Sequence, residues 1–140
     1  MDAYAGTWVC DKSKSDALSP FLEALGVSWL SRKAMDAGGV TWEVSPTGAT
    51  SYSHTVTNVG GTKTTAYALG AATNVDGADG NAYAVTPALQ ADGSLLVAAV
   101  GAKKTFDAVW RIDAGMLVVV TTILDAKGAT VTVTRRYNKK

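Results

Sequence analysis

From about residue 40 onward the chain alternates short stretches rich in Val, Thr, Tyr and Trp with clusters of turn formers, and that rhythm predicts an all-β protein. The turns fall at Pro46-Thr47-Gly48, Gly60-Gly61, Asp76-Gly77, Asp79-Gly80, Asp92-Gly93, Gly101-Ala102, Ala114-Gly115 and Lys127-Gly128. Glycine in such pairs supplies the positive φ that tight hairpins require. Strands are expected near 5–11, 39–45, 49–59, 62–70, 71–75, 81–87, 94–100, 104–112, 116–124 and 129–138. Strands joined by short turns give an up-and-down antiparallel meander. Ten of them can close into a β-barrel, which removes both sheet edges and leaves a cavity where eight strands would be nearly filled by side chains.

One segment departs from this rhythm. Leu18, Phe21, Leu22 and Leu25 recur on one helical face, and Gly26 ends the pattern. Ser28 then starts a second helix that runs to about Asp36 and stops at Gly38-Gly39. Pro20 leaves the first boundary open between Ser15 and Ser19 as N-cap. Helices this short are marginal alone and must rest their apolar face on something, and the open end of the barrel is the surface available. The expected architecture is a ten-stranded up-and-down antiparallel β-barrel with a helix-turn-helix lid between strands 1 and 2.

Composition narrows the function. The 140 residues show no break in composition, so residues 1–140 are read as one domain, large enough to bury a core without disulfides or metal. A formal net charge of +1 gives no general electrostatic case for nucleic acid. A single cysteine, Cys10, cannot form an internal bridge, and it reads as a small buried apolar group beside Trp8. The opening residues lack the charged-then-apolar pattern of a secretory signal, and the longest apolar run, Met116 to Val120, is far short of a bilayer span. The expected setting is the cytoplasm. One histidine, His54, and one cysteine leave zinc and iron–sulfur sites without ligands, so neither metal nor cofactor is expected. No Ser-His-acid set or paired carboxylates share a plausible face, which argues against an enzyme.

The last strand carries the sharpest candidate chemistry. Ala129, Val131, Val133, Arg135 and Tyr137 share one face, so Arg135 points with the apolar set. A buried guanidinium is unfavourable unless an anion or good acceptors meet it, and Arg135 with Tyr137 could serve an anionic head group. The alternative is that the strand end frays and Arg135 reaches solvent. On the eighth strand Phe106, Ala108, Trp110 and Ile112 form the apolar face, which turns Trp110 inward, as packing or as ligand wall.

The opening Ala5-Gly6-Thr7-Trp8, the segment Phe21-Leu22-Glu23-Ala24-Leu25-Gly26-Val27 with Arg32-Lys33 after it, and the closing Thr134-Arg135-Arg136-Tyr137 occur together in order. In these motifs and their spacing the chain resembles the fatty-acid-binding proteins, intracellular lipid-binding members of the calycin superfamily, over essentially its whole length. The resemblance implies a lipocalin-like ten-stranded barrel capped by a helix-turn-helix, acting as a non-enzymatic, monomeric carrier of a long-chain fatty acid. It implies that Arg135 and Tyr137 grip the ligand carboxylate.

Several residues depart from the family pattern. Trp110 stands where the family usually has a second cavity arginine, with Arg111 on the opposite face. That departure keeps open a retinoid or other bulky hydrophobic ligand. The resemblance turns Ser53, Thr55, Thr57 and Val59 inward and His54 outward, giving a polar third wall. Asp79 resembles a cavity acid near the portal, although an aspartate before Gly80 is also an ordinary turn residue. Asp11-Lys12-Ser13-Lys14-Ser15-Asp16 replaces a shorter family segment at the approach to the lid. Lys12, Lys14, Arg32 and Lys33 could form a basic collar for transient contact with anionic membranes, or be ordinary solvated charge. A membrane-associated scaffold with an incidental ligand is a further alternative.

Overall fold

The computed structural model describes every residue from Met1 to Lys140. Its strands are β1 (Gly6–Cys10), β2 (Thr41–Pro46), β3 (Ser51–Asn58), β4 (Gly61–Ala68), β5 (Thr73–Asp76), β6 (Ala82–Leu89), β7 (Leu95–Gly101), β8 (Thr105–Asp113), β9 (Met116–Leu124) and β10 (Thr130–Lys139). They form one antiparallel sheet in the order β4-β3-β2-β1-β10-β9-β8-β7-β6-β5. All ten expected strands are present, within a few residues of the turns that delimit them. Pairing of β1 with both β2 and β10 curls the sheet, and Cys10 sits opposite Tyr137.

Closure is incomplete, contrary to the expectation that both edges disappear. β4 and β5 lie at the two ends of the strand order and share no ladder. The chain between them is held elsewhere: the Leu69 amide donates to the Thr50 carbonyl at 2.8 Å and the Gly70 amide to the Pro87 carbonyl at 2.7 Å. These bonds hold the connection against β3 and β6 rather than in a tight β4–β5 hairpin. The Lys63 Nζ donates to the Asp76 carbonyl at 3.2 Å, from β4 to β5.

The lid consists of α1 (Ser19–Leu25) and α2 (Trp29–Ala37). Leu18 is the N-cap residue of α1 and Pro20 lies in its first turn, so neither Ser15 nor Ser19 caps it. The Asp36 carboxylate instead accepts the Leu18 amide at 2.9 Å, tying the end of α2 to the start of α1. Gly26 takes the left-handed conformation (φ 90°) that closes α1, and the Ser28 hydroxyl accepts the Ser31 amide at the start of α2.

Two apolar clusters fill the barrel ends. Under the lid, Leu22, Leu25 and Val27 pack with Tyr83, Val85, Ala99 and Ile123. At the other end Tyr4, Trp8, Val44, Leu95, Trp110, Leu117 and Tyr137 form a second cluster. The turn Asp2–Tyr4, unforeseen in the sequence, drives Tyr4 into this end as a plug. Its hydroxyl donates toward the Gly93 carbonyl at 2.7 Å and lies 3.0 Å from the Trp110 carbonyl, and the Trp8 indole donates to the Tyr4 carbonyl at 2.9 Å.

Candidate functional site

A cavity of about 330 Å³ lies between these two clusters, roofed by Leu18, Phe21 and Met35 and walled mainly by apolar strand residues. Cross-strand register decides which side chains reach it, because paired residues share a face. Val97, Ala108 and Thr121 pair in sequence across β7, β8 and β9, and all three line the cavity.

Arg135 and Tyr137 both line the cavity, as the alternation of β10 predicts. Arg135 is only 7% exposed, so it does not escape into solvent at the strand end. Its Nη1 donates to the backbone carbonyl of Asp16 at 2.8 Å, and its charge acts on the neighbouring Tyr137 hydroxyl. Both groups are neutral. Burial pushes the Tyr137 hydroxyl well above the usual tyrosine range, with Cys10 adding to the rise and Arg135 opposing it. The phenol therefore stays protonated, with a donor available to an anion.

The Asp16 carbonyl is where it is because the segment after β1 docks along β10. The Asp16 amide donates to the Thr134 carbonyl at 2.8 Å, and its carboxylate accepts the Thr134 amide at 2.9 Å. The Ser15 hydroxyl accepts the Arg136 amide at 2.8 Å. The Asp11–Asp16 segment thus works as a brace beside Arg135, a role that composition alone did not reveal.

Trp110 faces inward on β8 and is almost fully buried. It meets Trp42 with ring centroids 5.0 Å apart, and Trp42 in turn stacks on Tyr137 at 4.7 Å with planes 28° apart. Trp110 is both core and cavity wall.

On β3 the structure reverses the expectation. Tyr52, His54, Val56 and Asn58 line the cavity, whereas Ser53, Thr55 and Thr57 occupy the outward face. The cause is register: Trp42 opposes Val56 and Val44 opposes His54, so the inward face of β2 selects the even-numbered residues of β3. Thr55 hydrogen-bonds Thr64 across the outside of the barrel at 2.7 Å. Val59 lies beyond β3 on the surface and contributes nothing to the wall.

Asp79 is also outside the cavity. It is a turn aspartate that accepts from the Asn81 amide at 3.1 Å, from the Asn81 side chain at 2.9 Å and from the Tyr83 hydroxyl at 2.7 Å. Burial pushes its carboxyl up, but these hydrogen bonds outweigh that and hold it below the usual carboxylate range. Burial and the bond to Asp79 push the Tyr83 hydroxyl up to about 12. Asp79 acts on the site only by steadying Tyr83, which does line it.

His54 is the functional candidate that the sequence reading turned the wrong way. Its ring meets Trp42 edge-on at 4.5 Å and Trp110 at 5.1 Å. Burial lowers its pKa to about 4, which leaves a neutral imidazole in the wall. Cys10 is half-buried, 3.7 Å from the Ser15 hydroxyl. No group of His, Cys, Asp and Glu side chains has the arrangement of a metal site.

No protein-family model matches the chain, and no curated protein matches it in sequence. Solved structures do match its fold. It is similar to Echinococcus granulosus fatty-acid-binding protein 1 with a TM-score of 0.87 and 20% identity, over 99% of this chain and 98% of that one. A Schistosoma mansoni fatty acid binding protein in complex with arachidonic acid gives 0.87 and 19%, over 100% and 98% of the two chains. Apo Caenorhabditis elegans lipid binding protein 8 gives 0.85 and 15%, over 100% and 97%. The chain has the fatty-acid-binding-protein fold.

Proposed function

We propose that this protein belongs to the fatty-acid-binding family and is a non-enzymatic carrier of a long-chain fatty acid, held by its carboxylate at Arg135 and Tyr137. The observation that carries this reading is the electrostatic state of Arg135. It is a buried cation facing an apolar cavity, hydrogen-bonded to a backbone carbonyl and set beside a protonated phenol, with no carboxylate to neutralise it. Such a site gains most from a ligand that brings one negative charge attached to a hydrocarbon. The tail needs shape rather than chemistry, since each methylene moved from water into the cavity contributes about 0.8 kcal/mol. Fatty acid ligands among proteins of the same fold support the choice of acid, the arachidonic acid complex directly.

The test is displacement of a fluorescent fatty-acid analogue from delipidated protein by oleate, palmitate, retinoic acid and oleate methyl ester. Oleate should compete far more tightly than its ester. Arg135→Ala should weaken oleate by about 10- to 100-fold and leave the ester little changed. Equal loss for both would remove the head-group role, and preference for retinoic acid would replace the straight-chain ligand with a bulkier one.

The surface of the lid favours a second element of the same function. Trp29 is 62% exposed and Leu30 74% exposed at the start of α2, and the Lys33 Nζ lies 5.2 Å over the Trp29 ring. An apolar pair beside a cation suits brief contact with an anionic membrane during ligand transfer. Pelleting with anionic but not neutral vesicles, lost in Trp29→Ala, is the expected result. In this reading the protein works as a cytoplasmic monomer, and no helix is long and apolar enough to cross a membrane.

A further inference from the structure

The Nε2 atom of His54 is buried without a hydrogen-bond partner, and the imidazole forms part of the cavity wall. The only other such side-chain atom is Arg32 Nε, on the lid. His54 is flanked by Trp42 and Trp110, whose indoles offer no lone-pair acceptor and at most the weak one of a ring face, and by Val44 and Thr65 as its partners on β2 and β4. Trp42 separates it from Tyr137, so it stands one indole ring away from the Arg135–Tyr137 pair. A neutral imidazole carries one donor and one acceptor, and leaving either unpaired in an apolar wall is unfavourable. A half-turn of the ring exchanges the edges presented to the cavity with almost no change in outline.

We propose that His54 makes the cavity selective for fatty acids bearing a second polar group, a hydroxyl or oxo oxygen in the carboxyl-proximal part of the chain. This deepens the carrier reading and rests on it. The carboxylate meets Arg135 and Tyr137, and the added oxygen meets the imidazole nitrogen that a half-turn of the ring brings round to the cavity. An unsubstituted chain passes the same point and leaves that nitrogen without a partner. A site with a polar group waiting discriminates against the analogue that lacks the matching one.

Competition among hexadecanoate and its isomers hydroxylated near the carboxylate or at the terminal methyl tests this. A carboxyl-proximal hydroxyl should tighten binding about tenfold over plain hexadecanoate, the worth of one buried hydrogen bond, and a terminal hydroxyl should not. His54→Phe should bring the hydroxylated and plain acids to equal affinity, whatever its effect on both, and His54→Gln should retain part of the preference. Equal affinity for plain and hydroxylated acids, or an unchanged preference in His54→Phe, overturns the proposal and leaves the carrier reading intact. Equal affinity would mean that Nε2 is satisfied by the indole faces alone. If no acid binds at all, both fall. Should His54→Phe not fold, the wild-type panel alone decides.

Discussion

Two hairpins of the barrel, β9–β10 and β3–β4, are built on the same plan and buried very differently. In the first, Leu117, Val119, Ile123, Val133, Arg135 and Tyr137 are all buried. In the second only Tyr52 is, and the outer face is a threonine ladder, Thr55 to Thr64 at 2.7 Å and Thr57 to Thr62 at 3.0 Å, that ends at the β4–β5 gap. Exposed hydrogen bonds of this kind add little net stability, whereas buried aliphatic contacts add much. The molecule therefore sets its one cavity cation on the better buried of these two walls and keeps the less buried one next to the gap. Rigid placement suits head-group recognition, and a low-stability edge suits passage of a tail.

The contrast can be broken at either wall. Leu117→Ala should cost about 2–5 kcal/mol in denaturant unfolding, because a fully buried leucine leaves a cavity behind. His54 should make the less buried wall sensitive to acid. Its folded pKa of about 4 lies below the ordinary 6.5, so as pH falls below about 6.5 the unfolded chain takes up a proton that the folded chain refuses until about 4. The ligand-free protein should lose on the order of 3 kcal/mol across that window and keep full stability above it. His54→Phe should flatten that limb of the stability–pH curve. The smallest effect belongs to the outer ladder: Thr64→Ala should change unfolding free energy by no more than about 0.5 kcal/mol. Amide exchange should nonetheless show β3 and β4 opening before β9 and β10.

Much of this was legible in the chain because turn chemistry is local. Glycine pairs such as Asp92-Gly93 and Lys127-Gly128 mark strand ends whatever the rest of the protein does, and the Phe106-Ala108-Trp110 and Val131-Val133-Arg135 alternations assign their own faces. Local pattern and family resemblance point opposite ways on β3, and the structure follows the local pattern. On β3 the period-two reading separates Tyr52, His54 and Val56 from Ser53, Thr55 and Thr57, and the aromatic and β-branched set is the one that faces the cavity. Three features are long-range and had no local signal. Tyr4 plugs the barrel through carbonyls some ninety residues or more away, Asp16 braces β10 from the far end of the chain, and the chain at the β4–β5 gap is held by bonds to Thr50 and Pro87. Asp79 was a choice between turn and pocket, and hydrogen bonding to Asn81 and Tyr83 decided for the turn.

The central claim is that Arg135 receives a ligand carboxylate, and the ionisation of that carboxylate when bound tests it most directly. Carbon-13 resonance of carboxyl-labelled oleate should show the bound head group remaining ionised well below the ordinary carboxylic acid range in the wild-type protein, with Arg135→Ala, at saturating oleate, returning its titration toward the ordinary value or above it. A bound carboxyl that titrates alike in both proteins would place the head group away from Arg135 and contradict the account.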